Sequence, residues 1–330
     1  MKNQTINTIG FIGLGVMGNS MCKNLLQNKN WSIMVNDINK NKEEDLHNHG
    51  AIIASDIEDL FDKSDVIITC LPGGSFVYEM YFGKQNIISF IKRNKYIIDM
   101  STSQPDLMVK LNVEIKKKNS FFADAPIGKT RQAAIDGTLA IMVGSDLDTF
   151  KHLLPIFNLM GEDIMHCGDV GSGQLTKIMN NMILFETVVA LSEAANIAEK
   201  YGMNVSKLFN NITKCSGDSF ALKNHGIKSI AKDHFPSPAF SSEYALKDLS
   251  YALELGNKLK IKLPGAETAK KLLQTSIEQG DKDLYFPVIK KYLKYIYPLP
   301  TKGILFAITV IFNTFTVTGS LAIYNTASAI

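Results

Sequence analysis

The sequence predicts an α/β domain built on a doubly wound parallel sheet, followed by an all-α domain. Over about the first 125 residues, short runs rich in Val, Ile and Leu alternate with polar segments of helical pattern. Continuous apolar strands are typical of a sheet covered on both faces, and strands that alternate with helices require right-handed parallel crossovers. From Leu175 onward the strand pattern ends and apolar residues recur at helical spacing. A helical domain therefore follows the α/β domain.

The individual elements follow from these runs in chain order. The short β-rich runs predict strands at 8–12, 32–36, 66–71, 96–100 and 121–124. The polar segments between them predict helices at 17–27, 41–49, 57–61, 76–82 and 105–118. In the second domain, a long helix carries one apolar stripe formed by Leu175, Ile178, Met182, Phe185 and Val189. Further helices are predicted at 205–214, 243–259, 266–279 and 285–295.

Length and composition indicate the domain organisation and exclude several classes of protein. A chain of 330 residues exceeds what one hydrophobic core usually supports, and the glycine-rich segment 168–173 marks the change of pattern. We therefore predict domains at 1–168 and 169–300, with an apolar tail at 301–330. Apolar residues make up 45% and charged residues 20%, which excludes a disordered chain and a multi-span membrane protein. A net charge of +3 provides no basic surplus for nucleic acid, so none is expected as a partner.

A glycine-rich loop follows the first predicted strand and opens a helix. It consists of Gly13, Leu14, Gly15, Val16, Met17 and Gly18. In such a loop the first glycine permits the tight turn, the second lets a pyrophosphate approach the backbone, and the third lets helix and strand pack closely. The phosphate would lie at the helix N-terminus. The loop therefore predicts dinucleotide binding in a Rossmann-type domain.

Asp37 ends the second predicted strand, about twenty residues beyond the loop. At that position a carboxylate accepts hydrogen bonds from the ribose hydroxyls of the adenosine and repels a 2′-phosphate. NAD is therefore the predicted cofactor. Lys40 and Lys42 lie close enough to leave NADP as the less favoured alternative.

Five sequence blocks in the same order give the chain a specific resemblance. They are GFIGLGVMGNSMCKNL near the start, DMSTSQP at 99–105, DAPIGKTRQAAIDGTLAIMVG at 124–144, GSGQLTKIMNN at 171–181 and KDLSYALELG at 247–256. From about residue 9 to 295 the chain resembles the β-hydroxyacid dehydrogenase family, which includes 3-hydroxyisobutyrate dehydrogenase and tartronate semialdehyde reductase. The resemblance implies an NAD-dependent enzyme that transfers a hydride between the nicotinamide and a small aldehyde or hydroxy acid. It also implies a homodimer or homotetramer built through the helical domain.

The resemblance assigns Lys177 as the catalytic residue and Asn181 as its supporting residue. The two are four residues apart and therefore share one helix face. They follow the glycine-rich segment between the predicted domains, so we expect them at an interdomain cleft. An ammonium group there can protonate a developing alkoxide while hydride arrives. A non-catalytic nucleotide-binding module is the alternative class, and the presence of both residues argues against it.

Other positions match the family's cofactor and substrate contacts. Leu71 and Pro72 match the segment that lines the cofactor, and Thr102 matches the position near the nicotinamide. Lys247 matches a residue that reaches back toward the cofactor, and Asp248 one that reaches toward the substrate. The expected substrate contacts are Gly128, Lys129, Thr130, Asn180, Asn181 and Asp248.

One segment departs from the common family pattern and indicates the substrate. Most members carry Pro-Val-Ser-Gly-Gly where this chain has Pro-Ile-Gly-Lys-Thr-Arg at 126–131. The pattern resembles the 3-sulfolactaldehyde reductase branch, in which an arginine replaces the lysine. Gly128 makes room, and Lys129 with Thr130 supplies donors for a three-oxygen anion such as a sulfonate. Sulfolactaldehyde is therefore the leading substrate, with 3-hydroxyisobutyrate or tartronate semialdehyde as alternatives.

Cysteine usage and the N-terminus favour a cytoplasmic protein. Cys22, Cys70, Cys167 and Cys215 are far apart and form no CxxC pair, as expected of thiols in a reducing compartment. The first residues lack a basic region followed by a long apolar stretch. The pair His47 and His49 has no third ligand nearby, so no metal site is predicted.

The last part of the chain has a different composition. No charged side chain follows Lys302, and the stretch 304–324 is long enough to span a bilayer. Lys294 and Lys302 would keep the enzyme on the cytoplasmic side of such a span. The many threonine and β-branched residues, with Asn313 near the middle, favour a packed, strand-like or disordered extension instead. A membrane is thus expected as a partner only through this tail.

Overall fold

The computed structural model describes residues 5–296. Within them the chain forms two compact units. The first contains residues up to 184 together with 247–263, and the second contains 185–246 together with the chain from 264 onward. Two long helices contribute to both units, and the predicted domain boundaries at 168 and 300 stay predictions. The tail 303–330, with its predicted alternatives, lies outside the described residues.

The first unit is built on one sheet. Its strands are β1 (Thr8–Ile12), β2 (Ser32–Asn36), β3 (Ile52–Ile53), β4 (Val66–Thr69), β5 (Tyr96–Asp99), β6 (Phe121–Asp124), β7 (Ile127–Gly128), β8 (Leu139–Gly144) and β9 (Gly161–Gly168). The spatial order is β3-β2-β1-β4-β5-β6-β8-β7, with β9 beside β8. From β3 to β6 neighbouring strands are parallel, whereas β8 runs antiparallel to β6 and β7. The order reverses between β1 and β4, as in a doubly wound sheet.

Helices connect these strands. They are α1 (Val16–Leu25), α2 (Lys40–His47), α3 (Ile57–Lys63), α4 (Gly74–Phe82), α5 (Pro105–Lys117), α6 (Arg131–Ile135) and α7 (Leu147–Phe157). Several begin at the residues that favour helix starts: Asn39 caps α2, Asp56 caps α3, and Pro105 opens α5. Alternate strand residues enter two separate cores, Ile68 in one and Ile67 in the other. Apolar packing on both faces confirms the predicted covered sheet.

The helical part of the chain follows. Its elements are α8 (Ser172–Tyr201), α9 (Val205–Ile212), a π-helical turn (Leu222–Gly226), a 3₁₀ turn (Ile230–Lys232), α10 (Ser242–Leu259), α11 (Pro264–Glu278), a 3₁₀ helix (Phe286–Tyr292) and α12 (Leu293–Ile296). In the second unit, the rings of Phe185, Phe240 and Phe286 pack together with centroids 5.2–6.0 Å apart. None of the helices in the described range is both long and apolar enough to cross a bilayer.

Most predicted elements agree with the structure, with three kinds of difference. The strands predicted at 66–71 and 96–100 end earlier, at Thr69 and Asp99, because the chain there turns out of the ladder and the N–H of Leu71 donates to Ser101 Oγ at 2.9 Å. Strands β3, β7, β8 and β9 and helices α6 and α7 were not predicted. The helix predicted at 285–295 is mainly 3₁₀.

Candidate active site

The glycine-rich loop lies between β1 and α1, as predicted. Gly13 has a φ of +93°, and a Cβ there would collide with the carbonyl oxygen of Cys70. A Cβ on Gly18 would collide with the carbonyl oxygen of Gly13, so the third glycine is required for α1 to pack on its strand. A Cβ on Gly15 would meet no atom within 4 Å. The loop is therefore closed on its strand side and open at the helix N-terminus, where a pyrophosphate would fit.

Asp37 joins this loop to the end of β2. Its carboxylate is buried and accepts hydrogen bonds from the N–H of Leu14 at 2.6 Å and of Asn39 at 2.8 Å. The backbone N–H of Asp37 donates to Glu43 Oε1 at 2.9 Å, and Lys40 Nζ lies 2.9 Å from the same oxygen. Glu43 is buried and was not predicted as a site residue. Each carboxylate oxygen of Asp37 keeps a further lone pair for a ribose hydroxyl.

Two residues of α10, Lys247 and Tyr251, hold the segment 72–74 that follows β4. Lys247 Nζ donates to the carbonyl oxygen of Pro72 at 2.7 Å. The N–H of Gly74 donates to the hydroxyl of Tyr251 at 3.0 Å, and burial raises the pKa of that hydroxyl. Lys247 and Tyr251 are four residues apart and thus share one helix face. Tyr251 was missed in the sequence, although this spacing within the block 247–256 could have indicated it.

The predicted catalytic residues lie on α8. Asn181 is buried, and its Nδ2 donates to Asp248 Oδ2 at 2.8 Å, while Asp248 Oδ1 lies 2.9 Å from Lys247 Nζ. Lys177 is half-buried, and no ion pair to it is found within residues 5–296. Desolvation lowers the pKa of Lys177; the negative charge of Asp248 opposes this shift and the positive charge of Lys247 adds to it. A lysine with a lowered pKa exchanges protons more readily near neutral pH.

Two buried side chains that were not predicted hold the start of α8. Asp124 ends β6 and accepts from the N–H of Gly171 at 2.7 Å and of Gln174 at 2.8 Å. The side chain of Gln174 donates to the carbonyl oxygen of Ser101 at 2.7 Å and accepts from the N–H of Ser103 at 2.9 Å. Thr102, half-buried, lies between these two tethered residues. The blocks 124–144 and 171–181 contain both residues, but no charge or spacing in the sequence shows that they meet.

Burial also raises the pKa values of two neighbouring carboxyl groups, Asp99 and Asp124. Asp99 and Asp124 are paired across β5 and β6, and both are fully buried. Burial raises the pKa of Asp99 to about 6 and that of Asp124 to about 7. Backbone N–H donors oppose the rise at both positions, and the nearby Asp99 adds to it at Asp124.

The segment predicted to bind the substrate lies at β7 and the start of α6. Gly128 is buried, and a Cβ there would lie 3.1 Å from Met142 Cε. Thr130 caps α6, its hydroxyl accepting from the N–H of Ala133 at 3.3 Å. Lys129 Nζ lies 2.6 Å from Glu162 and 2.7 Å from Asp163, and these partners raise its pKa. Asn180 is exposed and donates to Asn181 Oδ1 at 3.1 Å.

The predicted site residues that show mutual contacts fall into three groups. Leu14 and Asp37 form one, and Pro72 and Lys247 form another. Asn180, Asn181 and Asp248 form a third, which joins the second through Lys247. Lys129 is not bonded to any of these groups in the part of the chain described, since its ion pairs are with β9. The role of each site residue stays a prediction.

The fold and the loop define a dinucleotide-binding protein of the Rossmann type. Residues 8–168 match the model of the NAD binding domain of 6-phosphogluconate dehydrogenase, and 171–292 match that of the NAD-binding domain of NADP-dependent 3-hydroxyisobutyrate dehydrogenase. The chain belongs to the β-hydroxyacid dehydrogenase family and is an oxidoreductase that acts on CH–OH groups.

Individual relatives agree with this assignment. The chain is 37% identical to the uncharacterized oxidoreductase YkwC of Bacillus subtilis, over 84% of this chain and 95% of that protein. It is 30% identical to the mitochondrial 3-hydroxyisobutyrate dehydrogenase of Rattus norvegicus, over 87% of each. The solved structure of Mycobacterium tuberculosis 3-hydroxyisobutyrate dehydrogenase with L-serine superposes with a TM-score of 0.80 at 27% identity, covering 88% of this chain and 100% of that one.

Proposed function

We propose that this protein catalyses reversible hydride transfer between NAD and a small anionic aldehyde or its hydroxy acid, with Lys177 as the proton donor. The observation that carries the proposal is the partly desolvated Lys177 one helical turn from Asn181, which is bonded to Asp248. When bound, the nicotinamide supplies or accepts the hydride. In reduction, the ammonium of Lys177 donates a proton to the forming alkoxide; in oxidation, the neutral amine takes it back.

The preference for NAD over NADP rests on two carboxylates, Asp37 directly after β2 and Glu43 on α2. Asp37 lies where the ribose hydroxyls would bind, and its negative charge opposes a 2′-phosphate. Lys40, the nearest candidate cation in the sequence, is neutralised by the buried Glu43 at 2.9 Å. Both observations support NAD.

The choice between substrates depends on Lys129. A sulfonate bound there would have to compete with Glu162 and Asp163, which already place two negative charges beside one ammonium. Only the sulfonate hypothesis requires Lys129 to bind the substrate anion. Its engagement by two carboxylates therefore favours a carboxylate-bearing substrate of the 3-hydroxyisobutyrate type over 3-sulfolactaldehyde. Sulfolactaldehyde and tartronate semialdehyde remain alternatives, and the comparison of their kcat/KM values decides among them.

We propose a homodimer or homotetramer as the assembly. Within the second unit, Ile197 and Tyr201 lie four residues apart on α8, with 69% and 88% of their surfaces exposed. Large apolar side chains exposed side by side on one helix face are typical of surfaces covered by another subunit. Light scattering coupled to gel filtration, with the Ile197→Lys variant as a control, measures the assembly.

An assay of NADH oxidation tests the proposed function. The wild-type protein is mixed with NADH or NADPH and one of three aldehydes: the semialdehyde formed by oxidation of 3-hydroxyisobutyrate, tartronate semialdehyde or 3-sulfolactaldehyde. The loss of reduced-cofactor absorbance is followed. We expect turnover with NADH on at least one of them, with kcat/KM in the ordinary range of about 10⁴–10⁸ M⁻¹s⁻¹. Binding of NADH without turnover on any of these aldehydes would contradict the proposal and favour a non-catalytic module.

A further inference from the structure

Helix α8 begins in a glycine-rich segment. Gly171 and Gly173 flank Ser172, and the first N–H groups of a helix have no partner inside the helix. The carboxylate of Asp124 fills this role from β6, accepting from the N–H of Gly171 and of Gln174. A negative charge at a helix N-terminus also interacts favourably with the helix dipole.

The fit around this carboxylate is close. A Cβ on Gly173 would lie 2.8 Å from Asp124 Oδ2, and one on Gly144 would collide with Asp124 Oδ1. The two glycines are therefore needed for β8 and α8 to approach the same acid. Asp124 is fully buried, so loss of its carboxylate would leave a buried N–H group without its acceptor, which costs free energy.

The anchored helix start is directly connected to the predicted catalytic groups. Gln174 is held by its backbone to Asp124 and by its side chain to Ser101 and Ser103. Lys177 follows three residues later and thus lies about one helical turn beyond the anchor. The loop that contains Thr102 is fixed by the same amide group.

We propose that Asp124 is the positioning residue of the catalytic lysine: it fixes the start of α8, with Gln174 as its partner, and thereby aims Lys177 at the reacting oxygen. The role rests on the proposed function of Lys177. It requires the ionised form, in which both oxygens accept. Within residues 5–296, the acidic group whose charge acts on Asp124 is Asp99 on the adjacent strand, and the hydrogen-bond donors to Asp124 are backbone N–H groups.

The Asp124→Asn variant tests this role. Whichever way the amide turns, its NH₂ group faces one of the two N–H donors, so one hydrogen bond is lost while size is kept. The matched control is Asp146→Asn, because Asp146 caps α7 in the same way through the N–H of Thr149 at 2.9 Å, on a helix without catalytic residues. Where Asp124→Asn shows no cooperative melting transition, Gln174→Ala takes its place. It removes the amide bonded to Ser101 and Ser103, so kcat is expected to fall while NADH binding stays within about twofold, and the acid limb that belongs to Asp124 is expected to remain.

Two measurements are made on the full chain. Amide hydrogen exchange is expected to rise about tenfold or more at 171–177 in Asp124→Asn, the loss expected for a hydrogen bond to a charged group, and to stay unchanged there in Asp146→Asn. The kcat for aldehyde reduction is expected to fall about 10- to 100-fold in Asp124→Asn while the dissociation constant of NADH stays within about twofold. The acid limb of the wild-type kcat profile, where Asp124 becomes protonated, is expected to disappear in the variant.

Unchanged exchange at 171–177 would overturn the anchoring role. Faster exchange with an unchanged kcat, or a kcat loss equal to that of Asp146→Asn at the same melting temperature, would overturn the positioning role. Absence of turnover by the wild-type protein on every semialdehyde would overturn the proposed function and the positioning role with it. The exchange measurement distinguishes that result from a failure of the anchor, because it needs no turnover.

Discussion

Asn181 donates a hydrogen bond of 2.8 Å to Asp248, and this bond joins the helix that carries Lys177 to the helix that carries Lys247. Both partners are buried, and Asp248 also lies 2.9 Å from Lys247 Nζ. A buried carboxylate thus connects an amide and an ammonium beside the proposed proton donor. Removing the charge of Asp248 is expected to change the protonation of Lys177 as well as the contacts with Asn181 and Lys247.

The Asp248→Asn variant is expected to shift the alkaline limb of the reduction profile to lower pH. The charge of Asp248 stabilises the ammonium form of Lys177 and opposes the desolvation that lowers its pKa. Without that charge the pKa falls further, so the proton donor is lost at a lower pH. The pH dependence of kcat for reduction measures the shift. An alkaline limb at the wild-type position would show that Asp248 does not act on Lys177.

The Lys177→Met variant is expected to lose activity and gain stability. Loss of a general acid costs about 10²–10⁴-fold in kcat. Desolvation lowers the pKa of Lys177 in the folded protein below its usual 10.5. Between the folded and unfolded pKa values the unfolded chain therefore binds more protons than the folded one. In that pH window the wild-type free energy of unfolding rises with pH. The variant lacks this rise and is expected to have an equal or higher melting temperature near neutral pH. A lower melting temperature with retained kcat would contradict both expectations.

The Glu43→Gln variant tests the cofactor preference. It removes the charge that neutralises Lys40, so the ammonium becomes free to meet a 2′-phosphate. We expect NADPH to bind about 2- to 5-fold more tightly and NADH to change less, a typical gain for one surface cation near an anion. Fluorescence titration with each reduced cofactor measures both constants. Asp45→Asn, in a half-exposed pair with Lys23 at 2.9 Å, is the control and is expected to change neither.

The Lys129→Ala variant separates the two substrate hypotheses. Lys129 already has Glu162 and Asp163 as partners in an exposed ion pair. Its replacement by alanine is therefore expected to change the KM for a carboxylate-bearing semialdehyde by no more than about twofold. A large rise in KM for 3-sulfolactaldehyde alone would instead support the sulfonate site predicted from the sequence.

The sequence predicted the framework of the fold because its signals are local. The strand Thr8–Ile12, the glycine loop and Asp37 occupy one short stretch, and the structure shows a steric reason for Gly13 and for Gly18. The strand Leu139–Gly144 was missed although its run of apolar residues is continuous, since the alternating pattern had already ended upstream. The two-residue strands Ile52–Ile53 and Ile127–Gly128 are too short to produce a pattern.

The site was predicted where a motif carried it and missed where residues meet only in space. Asp124 and Gly171 are 47 residues apart and Gly74 and Tyr251 are 177 apart, so no local spacing connects them. Lys129 was assigned to substrate because of its neighbours in the chain. Its partners on Gly161–Gly168 come from a strand that was not predicted, and the competition they impose could not be foreseen.

The central claim is that Lys177 supplies the proton for aldehyde reduction, and one comparison tests it most directly. Single-turnover NADH oxidation is measured for wild type and Lys177→Met with the best semialdehyde, beside NADH binding by fluorescence. The account predicts that the variant binds NADH with an unchanged dissociation constant and loses at least about 10²-fold in rate. A variant that binds NADH and oxidises it at the wild-type rate would contradict the account.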